Sequence, residues 1–253
     1  MKDLIFGIHS IAEAINNPAR GGLELFCTED GKKDLIKLHF KGSKIPERCK
    51  VRVLSNHQLK EEGKFALRDS GAKEQRVPSQ LFLRADSLPH KSIADIYNDL
   101  ESGKALKILA LDQVTDVHNL GAILRTTAFY GVDYVITSKK NQDNYPPGFF
   151  RIASGATEHV PMVSASSLGK AITKLSEKGV YCFGLAEEAT QENPEKSKAK
   201  SICMVMGAEE TGLSHATRRV LEEFVALPAR GQIKSLNVSV AAALAIEKFM
   251  FLC

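Results

Sequence analysis

Apolar residues occur along the chain in short runs that alternate with amphipathic stretches, and the alternation becomes more regular after residue 104. Residues 1–85 predict a compact α/β unit, and the more polar residues 86–104 predict a connection between domains. From Ala105 onward, continuously apolar runs such as ALKILALD alternate with helical stretches such as NLGAILRTTAFYG. Such runs are typical of strands that are buried on both faces. We therefore predict that residues 105–253 form a mainly parallel sheet covered by helices.

The same pattern places the individual elements. In the first unit we expect strands over residues 4–8, 23–28, 51–54 and 81–85, a helix from Ser10 and a second helix between residues 28 and 51. After it we expect strands over residues 105–112, 132–138, 159–163, 180–186, 201–207 and 223–229, and helices over residues 93–102, 119–131, 166–179 and 237–251. Ligands of parallel sheets bind at the carboxyl ends of the strands, so the loops that follow the strands are the first place to look for chemistry.

Composition narrows the class of protein. Apolar residues make up 43% and charged residues 25% of the chain, a balance typical of a folded globular protein. No apolar run is long enough to span a bilayer, and the first ten residues do not resemble a secretory signal. The five cysteines are scattered without a CxxC pair, which argues against a zinc ribbon or a disulfide framework. We expect reduced thiols and a cytoplasmic location.

The charge is concentrated in one segment. The whole chain carries a net charge of +4, but between Gly31 and Leu54 eight Lys and Arg residues face only two acidic residues. A basic segment of this kind attracts phosphates. It is equally typical of a solvated helix followed by a polar strand edge, so the segment alone does not decide between the two.

Three segments that follow predicted strands are rich in polar residues and glycine. In residues 111–126 either Asp116 or Asn119 can cap a helix, and Arg125 lies six residues after Asn119. In residues 204–214, Gly207 permits close backbone approach and is followed by Glu209 and Glu210. These two carboxylates suit catalytic acids, metal ligands or the acidic first turn of a helix.

In residues 227–249, Pro228 ends a strand, and Ser235 and Asn237 precede an Ala-rich helix that either of them can cap. Exposed backbone amides in such a loop suit a small ligand. Other signatures are missing: the chain has no GxGxxG after a strand, no P-loop, no GxSxG and no HExxH. The histidines form no ligand pattern and we predict no metal. His118 stands in the first segment, where a structural role is the better interpretation.

Taken in this order, HNLGAILRT, MGAEETGL and LPARGQIKSLNVSVAAA resemble the three signature motifs of the SpoU (TrmH-like) family of RNA 2′-O-ribose methyltransferases. RIASGATEHVP, residues 151–161, is similar to the Ser-x-Gly-Ala-x-Glu segment of that family. The opening FGIHSIAEAI resembles the start of the two-domain members, one of which modifies 23S ribosomal RNA. The resemblance is strong over residues 105–253 and weaker over the first 85.

The resemblance implies a fold, a cofactor and a partner. It implies a SPOUT-type parallel sheet with a C-terminal trefoil knot, an exception to the rule that chains are unknotted, preceded by a small RNA-binding α/β domain. It implies S-adenosylmethionine as the cofactor, held mainly by backbone groups, with Gly207, Leu227 and Leu236 as contacts. It also implies a homodimer formed through the knotted domain, with no membrane and no metal involved.

The resemblance also assigns roles in methyl transfer. Arg125 is the key residue; a guanidinium is effectively never deprotonated, so we expect it to stabilise negative charge on the ribose oxygen and to grip a phosphate rather than act as a base. Asn119, Ser235 and Asn237 are expected to orient the ribose and Arg125, and Glu209 to hold the arginine or its loop. The substrate expected is a guanosine of large-subunit ribosomal RNA.

Alternatives remain open. They are 2′-O-methylation of transfer RNA, methylation of a base, a non-catalytic RNA-binding protein on the same fold, and a small-molecule enzyme. The chain departs from the family pattern in residues 72–80, which are longer than usual, and in residues 141–150, which contain two prolines. Both departures concern the choice of RNA rather than the chemistry.

Overall fold

The computed structural model describes residues 2–70, 76–78, 80–138, 145–195, 200–233 and 235–251. The chain forms two compact units. The first comprises Met1–Pro89 together with Tyr145–His159, and the second comprises His90–Asn144 together with Val160–Cys253. Parts of the two departures from the family pattern, residues 72–75, 79 and 141–144, lie outside the described residues.

The first unit is a mixed sheet with helices. Its strands are β1 (Lys2–Ile5), β2 (Glu24–Cys27), β3 (Lys50–Val53) and β4 (Leu81–Asp86), and its helices are α1 (Ile8–Asn16), α2 (Glu29–His39), α3 (Asn56–Asp69) and α6 (Pro147–Ala153). The strand order is β1-β4-β2-β3, in which only the β2–β3 pair is parallel. Strand β3 stands at the edge of this sheet and is largely exposed.

The pattern of apolar residues predicted β2, β3 and β4 but missed helix α3. The strand expected over residues 4–8 is wrong in its bounds, because β1 covers Lys2–Ile5 and α1 already begins at Ile8. The chain between residues 54 and 70 does carry a start signal: Ser55 and Gln58 form a reciprocal capping box, in which the Ser55 Oγ accepts from the Gln58 amide and the Gln58 side chain accepts from the Ser55 amide. Helix α2 also begins at a cap, because Thr28 Oγ1 accepts from the Gly31 amide at 3.1 Å.

Segment Tyr145–His159 belongs to the first unit, although it lies within residues 105–253, which were predicted to form the second domain. Its Phe150 ring is buried in the apolar core of the first unit. Glu158 forms a two-pronged pair with Arg20, with N–O distances of 2.8 and 3.0 Å, and both side chains are only 1% exposed. Asp3 is a second partner of Arg20. The Arg20–Glu158 pair bridges 138 residues of sequence, which a local pattern does not reveal.

The second unit is built on a parallel sheet. Its strands are β5 (Lys107–Leu111), β6 (Tyr134–Ser138), β7 (Met162–Ala165), β8 (Val180–Leu185), β9 (Ser201–Met206) and β10 (Phe224–Val225). Its helices are α4 (Ile93–Glu101), α5 (Val117–Tyr130), α7 (Leu168–Glu177), α8 (His215–Arg218) and α9 (Val238–Ile246), the last continued by a π-helical turn over Glu247–Phe251.

The six strands of this sheet run in the order β10-β8-β9-β5-β6-β7, and every neighbouring pair is parallel. The prediction of an α/β fold with a parallel sheet is therefore confirmed. The strand expected over residues 223–229 is wrong in length, because β10 covers only Phe224–Val225. Pro228 has no amide hydrogen to donate to a neighbouring strand. The predicted trefoil knot stays a prediction.

Two further features bear on the expectations from composition. No helix within the described ranges combines the length and the apolar character needed to cross a membrane. Cys27, Cys49, Cys182 and Cys203 are free thiols, as predicted. Burial raises the pKa of the Cys27 and Cys49 thiols to about 11, so both are protonated and unreactive near neutral pH.

Candidate active site

The carboxyl ends of β5 and β9 lie side by side in the sheet of the second unit. Leu111, the last residue of β5, is the register partner of Met206, the last residue of β9. The first two candidate segments therefore leave the same edge of the sheet at adjacent positions. This is the edge at which parallel sheets place their ligands.

The N-cap of helix α5 is Asp116 rather than Asn119. The Asp116 Oδ1 atom accepts from the Asn119 amide at 2.8 Å, which satisfies one of the free donors of the first turn. The Asn119 side chain is consequently free to point elsewhere. Of the two cap candidates in the sequence, the structure thus leaves Asn119 available for the site.

Asn237 joins the three candidate segments. Its Oδ1 atom caps helix α9 by accepting from the Ser239 amide at 3.0 Å and from the Ser239 hydroxyl at 2.6 Å. Its Nδ2 group donates to Asn119 Oδ1 at 3.1 Å and to Glu209 Oε2 at 3.3 Å. The Asn237 carboxamide therefore caps helix α9 through its oxygen and connects the other two segments through its nitrogen.

The segment after β9 is a tight turn. The Gly212 amide donates to the Ala208 carbonyl at 2.9 Å, and Gly212 has a φ of +62°. A Cβ atom on Gly207 would lie 2.1 Å from the Gly212 carbonyl carbon. Glycine is thus required at position 207 by the turn's own backbone, and this requirement exists whether or not a ligand is bound.

Asp112 is a residue of this region that the sequence analysis overlooked. It follows β5 directly, is only 5% exposed and accepts from the Ser214 amide through Oδ2 at 2.8 Å. A carboxylate at the end of an apolar strand was visible in the sequence, but its partner, 102 residues later in the chain, was not.

Arg125 lies in the first candidate segment and Ser235 in the third, but neither side chain takes part in the hydrogen bonds that join Asn119, Glu209 and Asn237. Arg125 lies on the exposed face of α5, and Ser235 precedes Leu236 in the exposed stretch before α9. Within the described residues neither side chain has a hydrogen bond or an ion pair. Both are therefore accessible to a bound substrate.

Leu227 and Leu236 offer backbone donors. Leu227 follows β10 and is half-buried, whereas Leu236 is exposed just before α9. In the described part of the chain, neither backbone amide has a hydrogen-bond partner. Unpaired amides of this kind can bind the ring nitrogens or carboxylate of a small molecule. Their chemistry fits a cofactor that is held by backbone groups.

The candidate site contains no arrangement suited to a metal. Among the residues that the structure describes, no group of three or more His, Cys, Asp or Glu side chains is placed to hold an ion. Glu209 and Glu210 are exposed, and the first of them is hydrogen-bonded to Asn237. His118 is exposed on α5 and makes no side-chain hydrogen bond to another described residue.

Helices α5 and α9 each carry large apolar side chains that are exposed. Phe129, one helical turn after Arg125, is 82% exposed. On α9, Val240 and Leu244 are four residues apart and are 48% and 49% exposed. Helices α5 and α9 pack against each other, so these side chains belong to one pair of helices.

The basic segment of the first unit is largely free of internal partners. Arg48 donates to the Asn17 carbonyl, and Arg52 pairs with Glu24 and Glu62. The five other exposed basic residues of this segment form no ion pair with any described residue; they are Lys33, Lys37, Lys41, Lys44 and Lys50. Phe40 packs against the core and is not a free aromatic surface among the cations.

Comparison with known proteins gives the class and then the family. The fold is similar to that of the SpoU methyltransferase AviRb from Streptomyces viridochromogenes, solved in complex with the cofactor AdoMet, with a TM-score of 0.71 at 18% identity over 98% of this chain and 88% of that one. This similarity identifies the fold of the chain as that of AviRb. The chain belongs to the SpoU rRNA Methylase family, whose model matches residues 107–247.

Two relatives match almost the whole chain. The 23S rRNA (guanosine-2'-O-)-methyltransferase RlmB of Photobacterium profundum is 30% identical over 96% of this chain and 95% of its own length. The protein of the same name in Escherichia coli K12 is 28% identical over 97% of both chains. The family predicted from the three motifs is confirmed, and with it the predictions of an RNA methyltransferase and of S-adenosylmethionine as its cofactor.

Proposed function

We propose that this enzyme transfers a methyl group from S-adenosylmethionine to the ribose 2′-hydroxyl of a guanosine in large-subunit ribosomal RNA. The observation that carries the proposal is that Asn119 and Glu209 both accept from the Asn237 carboxamide at the carboxyl edge of the parallel sheet. The relatives named for this reaction match this chain over both of its units, which supports the choice of substrate. The same substrate implies the cytoplasm as the site of action.

The cofactor contacts are proposed at Gly207, Leu227 and Leu236. The amides of Leu227 and Leu236, which have no hydrogen-bond partner among the described residues, supply donors, and the Leu236 side chain supplies an exposed apolar surface. When bound, S-adenosylmethionine supplies a methyl group that its sulfonium already activates. The residues of this chain then need only to position the acceptor and to stabilise the charge that develops on it.

Arg125 is proposed as the catalytic residue. Arg125 would donate to the ribose 2′-oxygen while that oxygen takes up the methyl group, the cofactor would leave as a neutral thioether, and the hydroxyl proton would pass to solvent. Because the Arg125 guanidinium has no ion pair of its own in the described chain, its five donors are available for the ribose oxygen and a neighbouring phosphate. Ser235 is free to orient the same ribose.

The Asn119–Asn237–Glu209 connection serves as the frame of this site. Asn237 fixes the start of α9 and the positions of the two other side chains, so a shift in one loop is transmitted to the others. We assign Asn119 and Asn237 to orienting the ribose and Arg125. Glu209 holds the turn after β9 in register.

A homodimer through the second unit is part of the proposal. Phe129, Val240 and Leu244 are large apolar side chains left exposed on α5 and α9. Exposed apolar groups of this size on adjacent helices are typical of a subunit interface. Because Phe129 lies one turn from Arg125, a second copy bound here would border the site.

The first unit is proposed to hold the RNA. The five exposed lysines of its basic segment that form no ion pair with a described residue leave a strongly basic surface. Phosphate contacts of this kind supply affinity without reading sequence. The edge strand β3 carries one of them, Lys50, and the others lie on or just after α2.

Methyl transfer from labelled S-adenosylmethionine to separated ribosomal and transfer RNA tests the proposal. Label recovered in 2′-O-methylguanosine from 23S RNA is the expected result. Label in transfer RNA would replace the substrate but keep the reaction, and label on a base would overturn the assignment to ribose. Cofactor binding without transfer to naked or ribosome-assembled RNA would favour the non-catalytic alternative.

A further inference from the structure

Asp112 contacts both ends of the turn that follows β9. Its backbone amide donates to the Met206 carbonyl at 2.8 Å, immediately before Gly207. Its side-chain Oδ2 accepts from the Ser214 amide at 2.8 Å, immediately after Leu213. One residue therefore closes a loop of residues 207–213 by binding the residue on each side of it.

The loop that Asp112 closes contains one member of the candidate site. Glu209 accepts from Asn237, and its position depends on where the two ends of the turn are held. Inside the turn, the Gly212 amide binds the Ala208 carbonyl, which fixes the shape of the turn but not its place on the sheet. The position of the turn on the sheet is set by buried Leu213 and by the hydrogen bond between Asp112 and Ser214.

The two polar groups of Ser214 have separate tasks. Its Oγ accepts from the Thr217 amide at 3.3 Å and caps the short helix α8. Its backbone N–H binds Asp112. Substitutions at this one position can therefore remove the helix cap with or without the Asp112 bond.

We infer that Asp112 is a positioning residue for cofactor binding and methyl transfer, acting through the backbone of residues 207–213. The inference rests on the proposed assignment of this loop to the cofactor site. Asp112 itself touches neither reacting atom. A buried carboxylate is stable only when its oxygens are hydrogen-bonded, and a bond to a charged acceptor is stronger than one between neutral groups. Loss of this acceptor should release the loop and leave the sheet intact.

The test compares two substitutions at Asp112 in the full-length chain. Asp112→Ala removes the acceptor and should raise the dissociation constant for S-adenosylmethionine about tenfold or more, the range expected for one buried charged hydrogen bond. Asp112→Asn keeps an oxygen that accepts from Ser214 and should bind within about threefold of the wild type. Binding of RNA, measured separately, should be unchanged in both.

A pair of substitutions at Ser214 makes the test independent of changes at Asp112. Ser214→Ala removes the cap of α8 and keeps the backbone N–H. Ser214→Pro removes both, and the native φ of −61° is one that proline adopts. We expect weak cofactor binding only for the proline variant. Circular dichroism and the melting temperature should show that both variants are folded.

Each outcome has one interpretation. Wild-type affinity in Asp112→Ala or Ser214→Pro would overturn the inference, as would equal weakness of Asp112→Asn and Asp112→Ala, because charge rather than positioning would then matter. A wild-type chain that binds the cofactor but methylates no RNA would contradict the proposed function alone. A wild-type chain that does not bind the cofactor would overturn both.

Discussion

The Nδ2 group of Asn237 lies 3.1 Å from Oδ1 of Asn119, 118 residues earlier in the chain. The other end of the same side chain caps α9. Substitutions can separate these two tasks, because an N-cap needs an acceptor whereas the bond to Asn119 needs a donor.

Asn237→Asp should keep stability and lose activity. The carboxylate still accepts from the Ser239 amide, so α9 keeps its cap, but it cannot donate to Asn119 and it repels Glu209. We expect a melting temperature close to that of the wild type with at least about a tenfold lower kcat, as expected when one positioning hydrogen bond is lost.

Asn237→Ala is the matched control for that variant. It removes the cap as well and should lower the free energy of unfolding by about 1 kcal/mol. Equal stability loss in both variants, measured by thermal unfolding, would mean that a carboxylate at position 237 does not replace the native carboxamide oxygen as the cap of α9. Full activity in Asn237→Asp would contradict the proposed frame.

Arg125→Ala should abolish methyl transfer and leave cofactor affinity within a few-fold of the wild type. Its guanidinium is exposed and lacks an ion pair in the described chain, so its removal leaves no buried charge unpaired. Arg125→Lys should recover little, since an ammonium lacks the planar donor pair that binds an oxygen and a phosphate together. Single-turnover transfer and calorimetric binding separate the two effects.

Arg219→Ala is a suitable control, because Arg219 is also exposed in the second unit but lies outside the three segments. It should behave as the wild type in both assays. Loss of cofactor binding in Arg125→Ala would refute the assignment of this residue to the ribose.

Leu244→Glu should dissociate the proposed dimer. The substitution places a charge among exposed apolar side chains, where a second copy would have to bury it without a partner. Light scattering after gel filtration should give a mass near 27.7 kDa, that of one chain. Leu38→Glu, at another exposed leucine but in the first unit, should leave the mass of the assembly unchanged. A wild-type protein that is already monomeric at micromolar concentration would exclude this interface.

Glu158→Gln should destabilise the first unit. The substitution removes one charge of a pair whose side chains are 1% exposed, and breaking such a pair costs about 3 kcal/mol at the lower end of the usual range. Urea unfolding of the full chain measures this change. The double variant Arg20→Met with Glu158→Leu should recover part of the loss, because it removes the unpaired buried cation but leaves Asp3 without its partner.

Glu61→Gln, which breaks an exposed pair with Lys64, serves as the control and should leave the unfolding midpoint in place. An unfolding midpoint for Glu158→Gln equal to that of the wild type would show that Asp3 alone satisfies Arg20.

The sequence predicted most strands of the parallel sheet, but not the hydrogen bonds among the three candidate segments. Buried strands such as β5 and β9 are continuous apolar runs, so their ends and the loops after them are visible in the sequence. Whether Asp116 or Asn119 caps α5 was not visible, because both have suitable oxygens and neighbouring positions. The partner of Asp112 was hidden for another reason: it is a backbone amide, which every residue except proline has.

Helix α3 was missed because its start signal, Ser55 with Gln58, precedes a stretch with few apolar residues. The placement of Tyr145–His159 could not be predicted from local pattern at all. It depends on Arg20 and Phe150 finding partners far away in the chain.

That placement constrains how the gene can be rearranged. The first unit is interrupted in sequence: the chain leaves it after residue 89 and returns for residues 145–159, between β6 and β7. A single recombination breakpoint within residues 86–104 would separate Arg20 from Glu158. The transferred first unit would then contain Arg20 as a buried cation that has lost Glu158 as its partner. An exchange that preserves the unit needs two more breakpoints, one on each side of residues 145–159. The two units are therefore expected to have been inherited together rather than shuffled as independent modules.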